Sequence, residues 1–332
     1  MSFSPAGDGR GEDSCCVFMS INKQLNKGSQ RRVIMATLYV GTSDGYATLQ
    51  EAINAASATE ETTIVVAAGT YNENITLDSR TMEQKGNIKF VAAEGADVTF
   101  TGLFTIGYYE KRVGAQKWNA DVTFENITFD QATAATHSID IQQVNDFTMI
   151  NCTVIGDGEY GILGTNVDNG ATITNCNFTN AGIQSAGNFG KNLLIEGGVF
   201  TDSKINLQSG NSATVSGVTF NSTLTDAAVG DSFYVVRTND VPVNIVDCVV
   251  NIDSALTETA ADQANWGIFW QRNAGSTKWQ ISDVELNLTE AAMAQEELLV
   301  NKNGTTNAAN EAQRVTMTGL TSSSNDVAEL LA

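Results

Sequence analysis

Phe124-Glu125-Asn126-Ile127-Thr128-Phe129, Met149-Ile150-Asn151-Cys152-Thr153-Val154 and Ile173-Thr174-Asn175-Cys176-Asn177-Phe178 are three copies of one phrase. Each holds an apolar residue, a spacer, an Asn, a small or apolar residue, a second spacer and a closing apolar residue. With Gly or Asp in place of Asn, the phrase returns as Ile195 to Phe200, Val215 to Phe220, Ile245 to Val250 and Ile281 to Leu286, and fades at Met317 to Leu320. The central residues 126, 151, 175, 197, 217, 247, 283 and 319 are 25, 24, 22, 20, 30, 36 and 36 residues apart.

The phrase reads as strand, bend, strand. Asn, Gly and Asp enter the left-handed backbone region at least cost, so they mark the bend. β-Branched and aromatic residues alternate on either side, as half-buried strands require. Another strand-like segment precedes most copies: 138–144, 160–167, 182–187, 204–210, 232–239, 266–273 and 297–303. A period therefore carries three short strands, and variable loops lengthen the later periods. Coils this small cannot bury a face alone and must stack, each strand beside its equivalent about 4.8 Å away. The expected fold is all-β, a right-handed parallel β-helix of about nine or ten coils over residues 35–325.

Stacking assigns several residues. Asn126, Asn151 and Asn175 fall in one column and are expected to share amide hydrogen bonds as a ladder. Cys152, Cys176 and Cys248 share a register with Ile127, Val218, Val284 and Leu320, and are expected inside as small apolar residues. Cys152 and Cys176 occupy neighbouring coils, so an axial disulfide is compatible with the register but not required by it. Open solenoid ends expose strand edges and need covers. Leu49, Ala52, Ile53 and Ala56 lie on one face of a helix expected near 46–57, with capping residues supplied by Thr42-Ser43-Asp44. Residues 290–299 read as a helical insertion, and 326–332 as a C-terminal plug.

Composition narrows the function. Eighteen Lys and Arg face 38 Asp and Glu, a net charge of −20, which opposes a nucleic-acid backbone or an anionic membrane as general partner. Hydrophobic residues make up 42%, enough for a large core, and no apolar run approaches the roughly 18 residues that cross a bilayer. His137 is the single histidine, so no multi-His metal site exists and no cofactor is expected. Five cysteines are too few for a disulfide scaffold. Residues 1–34 are polar and Gly-rich and lack the apolar core of a signal peptide. They read as a flexible arm, as an extension upstream of a start at Met35, or as an arm ordered against a neighbouring subunit.

From Leu38 to Leu77 the chain resembles the opening of the pectate-lyase-like right-handed β-helix proteins. The carriers are Leu38-Tyr39-Val40-Gly41, the helix around Gln50-Glu51-Ala52-Ile53-Asn54, and Gly69-Thr70-Tyr71-Asn72-Glu73, which is similar to the Gly-x-Tyr-x-Glu opening of pectin methylesterases. The resemblance implies the fold; this superfold hosts lyases, hydrolases, esterases, adhesins and viral spikes. The catalytic motifs of pectin methylesterases and polygalacturonases do not occur, and Gln131-Ala132-Thr133-Ala134 only distantly resembles a methylesterase segment. Asp157, Asp168 and Asp202 fall in turns without a calcium-ligand pattern.

One constellation remains. Positive charge is scarce, yet Arg237, Arg272 and Lys302 close the same strand in successive late coils, with Tyr234, Trp266 and Trp270 nearby. Aligned by stacking, they would form a row of cations beside aromatic faces, suited to sugar rings and to a carboxylate or sulfate. The expected function is a non-catalytic structural or recognition protein on a virion or an extracellular surface, such as a decoration protein, tail-spike component or adhesin, self-associating and binding a glycan. The alternative is a polysaccharide lyase or glycoside hydrolase working on acidic polysaccharide in the late-coil groove.

Overall fold

The computed structural model describes residues 35–322, apart from 79–81, 111–113, 117, 133–136, 159, 186, 188, 190, 225–233, 240, 255–267, 273–277, 289–299, 302–314 and 320. The arm 1–34, the expected insertion 290–299, Leu320 and the plug 326–332 lie outside the described residues.

Among the described residues the chain winds as a parallel β-helix of three sheets. The first sheet has 11 strands, from Ala36–Val40 to Val315–Thr318; the second has 10, from Gly69–Tyr71 to Thr321–Ser322; the third has nine, from Ile75–Leu77 to Val300–Asn301. All pair in parallel with the equivalent strand of the next coil, and one hairpin, Tyr108–Glu110 with Gly114–Gln116, is antiparallel. The third-sheet strands fall inside the segments expected to precede each phrase, from Ile139–Ile141 to Val300–Asn301.

The bends explain the repeat. Asn126, Asn151, Asn175, Gly197, Gly217, Asp247, Asp283 and Gly319 all hold φ between 52° and 66°. Asn151 also donates its amide to Asn126 Oδ1 at 3.2 Å, one step of the expected ladder. Asn175 takes the same bend, and the next position is glycine. A Cβ on Gly197 would lie 2.5 Å from Asn175 Oδ1, and its φ is 66°.

Inside, side chains of like size stack on one another. Phe90 lies on Phe124 at 5.1 Å and Phe178 on Phe200 at 4.4 Å between ring centres, each pair nearly parallel. Each fully buried Phe contributes on the order of 2–3 kcal/mol of transfer free energy. Ile127, Cys152, Cys176, Val218, Cys248 and Val284 are buried in one column as expected, and the three cysteines are free thiols. A hydrogen bond to Cys176, reinforced by burial, holds the Cys152 thiol well above its ordinary pKa.

The capping helix spans Leu49–Ala55 and buries Leu49, Ala52 and Ile53. Its N-cap is Thr48, not the Thr42-Ser43-Asp44 group. Residues 41–46 are held instead as a turn by Gly41 N–H to Tyr46 O and Tyr46 N–H to Tyr39 O. Thr48 and Glu51 form a reciprocal capping box. Two further orphan donors, the N–H groups of Leu49 and Gln50, go to Glu73 Oε1 at 3.0 Å and Oε2 at 3.3 Å. Tyr71 donates its hydroxyl to Ala67 O at 2.9 Å. The Gly-x-Tyr-x-Glu segment is thus the clasp that fastens the cap to the first coils.

Candidate functional site

The site lies on the outer face of the third sheet and follows from its register. Ile162, Ile183, Ile205 and Val236 are successive inward partners. Counting back two residues from each places Tyr160, Ala181, Ser203 and Tyr234 in one column, with His137 one coil earlier. Three coil spacings separate the tyrosines, about 14 Å. Between them stand Ala181 and Ser203, both buried and too short to fill the space. The two phenols reach towards each other along the helix axis and their hydroxyls meet at 2.7 Å.

Polar and cationic groups surround this pair. Asn206 donates Nδ2–H to Tyr160 Oη at 3.2 Å. Lys204 Nζ lies 5.4 Å and Arg237 Cζ 5.5 Å from the centre of the Tyr234 ring, within range for cation–π attraction. Tyr234 is 5% exposed, and burial, followed by the neighbouring Tyr160, drives its phenol well above the ordinary pKa, opposed by Arg237. It therefore stays a neutral phenol that can donate. His137 Nδ1 is 2.8 Å from the Tyr160 carbonyl oxygen. A carbonyl only accepts, so Nδ1 carries the proton and a neutral ring keeps its lone pair on Nε2. The ensemble is donor-rich: two cations, an amide and two phenols on a molecule of net charge −20.

Two of the six residues expected to form the site, Tyr234 and Arg237, come together here. The row of cations does not form as expected. Arg237 pairs in register with Trp270, and Arg272 with Asn239, two residues further along. The expectation matched strand ends, whereas register is fixed by the inward residues Ile205, Val236 and Phe269. Arg237 and Trp270 are consequently partners in register, and Arg272 stands two positions further along the strand. Lys302 and Trp266 fall outside the described residues.

Tyr160, Lys204 and Asn206 were missed. Their signal is positional: each precedes or enters the third-sheet strand of its coil, which only the register reveals. Asp168 and Asp202 serve local structure, accepting from Gln143 Nε2 at 2.8 Å and from Thr223 N–H at 2.7 Å. No cluster of three or more His, Cys, Asp or Glu that could hold a metal occurs among the described residues. Nor is any described helix long and apolar enough to cross a membrane.

No protein-family model matches the chain, and no curated protein matches it in sequence. Among solved structures it is similar to the rice weevil pectin methylesterase, with 12% identity and a TM-score of 0.43 over 86% of this chain and 88% of that one. It is also similar to the Aspergillus niger pectin methylesterase in deglycosylated form, with 13% identity and a TM-score of 0.35 over 93% and 90%. The penultimately deglycosylated form of that enzyme gives 14% and 0.33 over 92% and 89%.

Proposed function

We propose that this chain is a non-catalytic β-helical structural and recognition protein that binds an acidic glycan on the outer face of its third sheet. The observation that supports it is the Tyr160–Tyr234 pair, flanked by Lys204, Arg237 and Asn206. On so acidic a molecule the global field repels anions, so a local group of cations and neutral donors is needed to retain a carboxylate or sulfate. Phenol and amide edges suit sugar hydroxyls. A rigid rod of parallel coils suits exposure on a virion or an extracellular surface, as a decoration protein, tail-spike component or adhesin, and self-association would give it avidity.

The test is binding of the full chain to a glycan array carrying uronate, sialylated and sulfated chains beside their neutral counterparts. Retention of anionic chains that Arg237→Ala and Tyr160→Phe both weaken supports the reading. Indifference to both substitutions removes it.

One observation favours a catalytic reading. His137 lies in the tyrosine column with Nε2 left as an acceptor, a proton acceptor for elimination from a uronate chain laid along the same column, three coils before Lys204. Release of unsaturated ends from polygalacturonate, lost in His137→Ala, would establish a lyase in place of a binding protein.

A further inference from the structure

A second feature lies on the second sheet, across the Asp202–Ser203 corner from the tyrosine column, and uses neither tyrosine. In the second sheet, Val199–Thr201 is a strand of three residues, whereas Thr219–Leu224 and Val249–Ser254 in the next coils have six. The shorter strand ends at Asp202, which turns away with φ of 46° and accepts the Thr223 N–H. The step in strand length leaves an open groove of about 260 Å³.

Three asparagines run along it. Thr201, Asn221, Asn251 and Asn287 are successive partners in register. Asn287 donates to Asn251 Oδ1 at 2.9 Å, and Asn251 donates to Asn221 Oδ1 at 2.7 Å. The amide dipoles therefore point the same way. Asn287 Nδ2 also meets Glu285 Oε1 at 3.1 Å. Among the described residues, Asn251 retains one N–H, Asn221 has its whole Nδ2 group unspent, and Asn287 has its Oδ1 unspent. One end of the ladder thus donates and the other accepts. Exposed Asp202 and Asp253 border the ladder.

We infer that this groove is a second binding site and that its ligand is a neutral saccharide. Sugar hydroxyls both donate and accept, so they match a ladder with opposite ends. The two aspartates, with no cation among the described residues lining the groove, repel the carboxylate or sulfate that Lys204 and Arg237 attract. The two walls would hold chemically different chains.

The experiment titrates the full chain calorimetrically with cellohexaose, maltohexaose, xylohexaose and mannohexaose, and with hexagalacturonate as the anionic counterpart. At least one neutral hexasaccharide is expected to bind. Asn251→Leu, which breaks the ladder at its centre, and Asn221→Ala, which shortens it at the donor end, should each weaken that binding about tenfold. Arg237→Ala should leave it unchanged. Wild-type protein that binds none of the four overturns the inference. So does a neutral affinity that survives Asn221→Ala in a protein with an unaltered unfolding midpoint, or one that falls with Arg237→Ala.

Discussion

Tyr160 and Tyr234 are 74 residues apart along the chain, and their hydroxyls share a hydrogen bond of 2.7 Å. The bond spans two intervening coils, so it ties together parts of the molecule that ladder hydrogen bonds connect only step by step. Tyr160→Phe removes one partner of a nearly buried phenol and should cost about 1–2 kcal/mol in urea unfolding. Tyr234→Phe should cost a similar amount. The double variant should lose less than the sum, by about 0.5–1 kcal/mol, because both remove the same bond. Strict additivity would show that the pair contributes nothing as a pair.

Alkaline pH should weaken the fold through Tyr234. Its phenol is pushed up chiefly by burial, so the native chain keeps that proton after the unfolded chain releases it. Its stabilisation is complete below the ordinary tyrosine pKa of about 10 and is lost as pH rises towards the native value. Tyr71 is shifted in the same direction, by burial and then by Glu73. The unfolding midpoint should fall above about pH 10, and it should fall less steeply in Tyr234→Phe.

Glu73 holds the cap. Glu73→Ala exposes two helix N–H groups that it now satisfies and should lower stability by about 1–2 kcal/mol. Glu73→Gln keeps one acceptor oxygen and should cost about half as much. Hydrogen exchange at the Leu49 and Gln50 amides should rise in both variants before the rest of the molecule responds.

The bend column separates backbone effects from side-chain effects. Asn151 has φ of 52° and donates to Asn126. Asn151→Ala forces an ordinary residue into the left-handed region and loses the bond, a cost of about 1–2 kcal/mol. Asn151→Gly relieves the backbone and loses only the bond, so it should cost less than half of that in the same denaturation assay.

Legibility in the sequence followed the type of interaction. The eight bends were readable because left-handed backbone restricts residue choice, and the helix face because Leu49, Ala52, Ile53 and Ala56 repeat with helical period. Register on the third sheet was not readable from strand ends. Interior packing sets it, and a slip of two residues keeps every side chain on its face while moving Arg272 away from Arg237. The second-sheet asparagines did leave a trace: Asn221, Asn251 and Asn287 each stand four residues beyond a bend, at 217, 247 and 283. The phrase closes on Phe220, Val250 and Leu286, one position before them.

The end-to-end tyrosines also act as a gauge. A spring of equivalent turns can in principle gain or drop a rung anywhere, since each bend joins like to like. Between Tyr160 and Tyr234 a change of count is penalised, because one rung fewer would drive the two rings into each other and one more would pull them out of reach. Over that stretch the length of two side chains favours one number of turns.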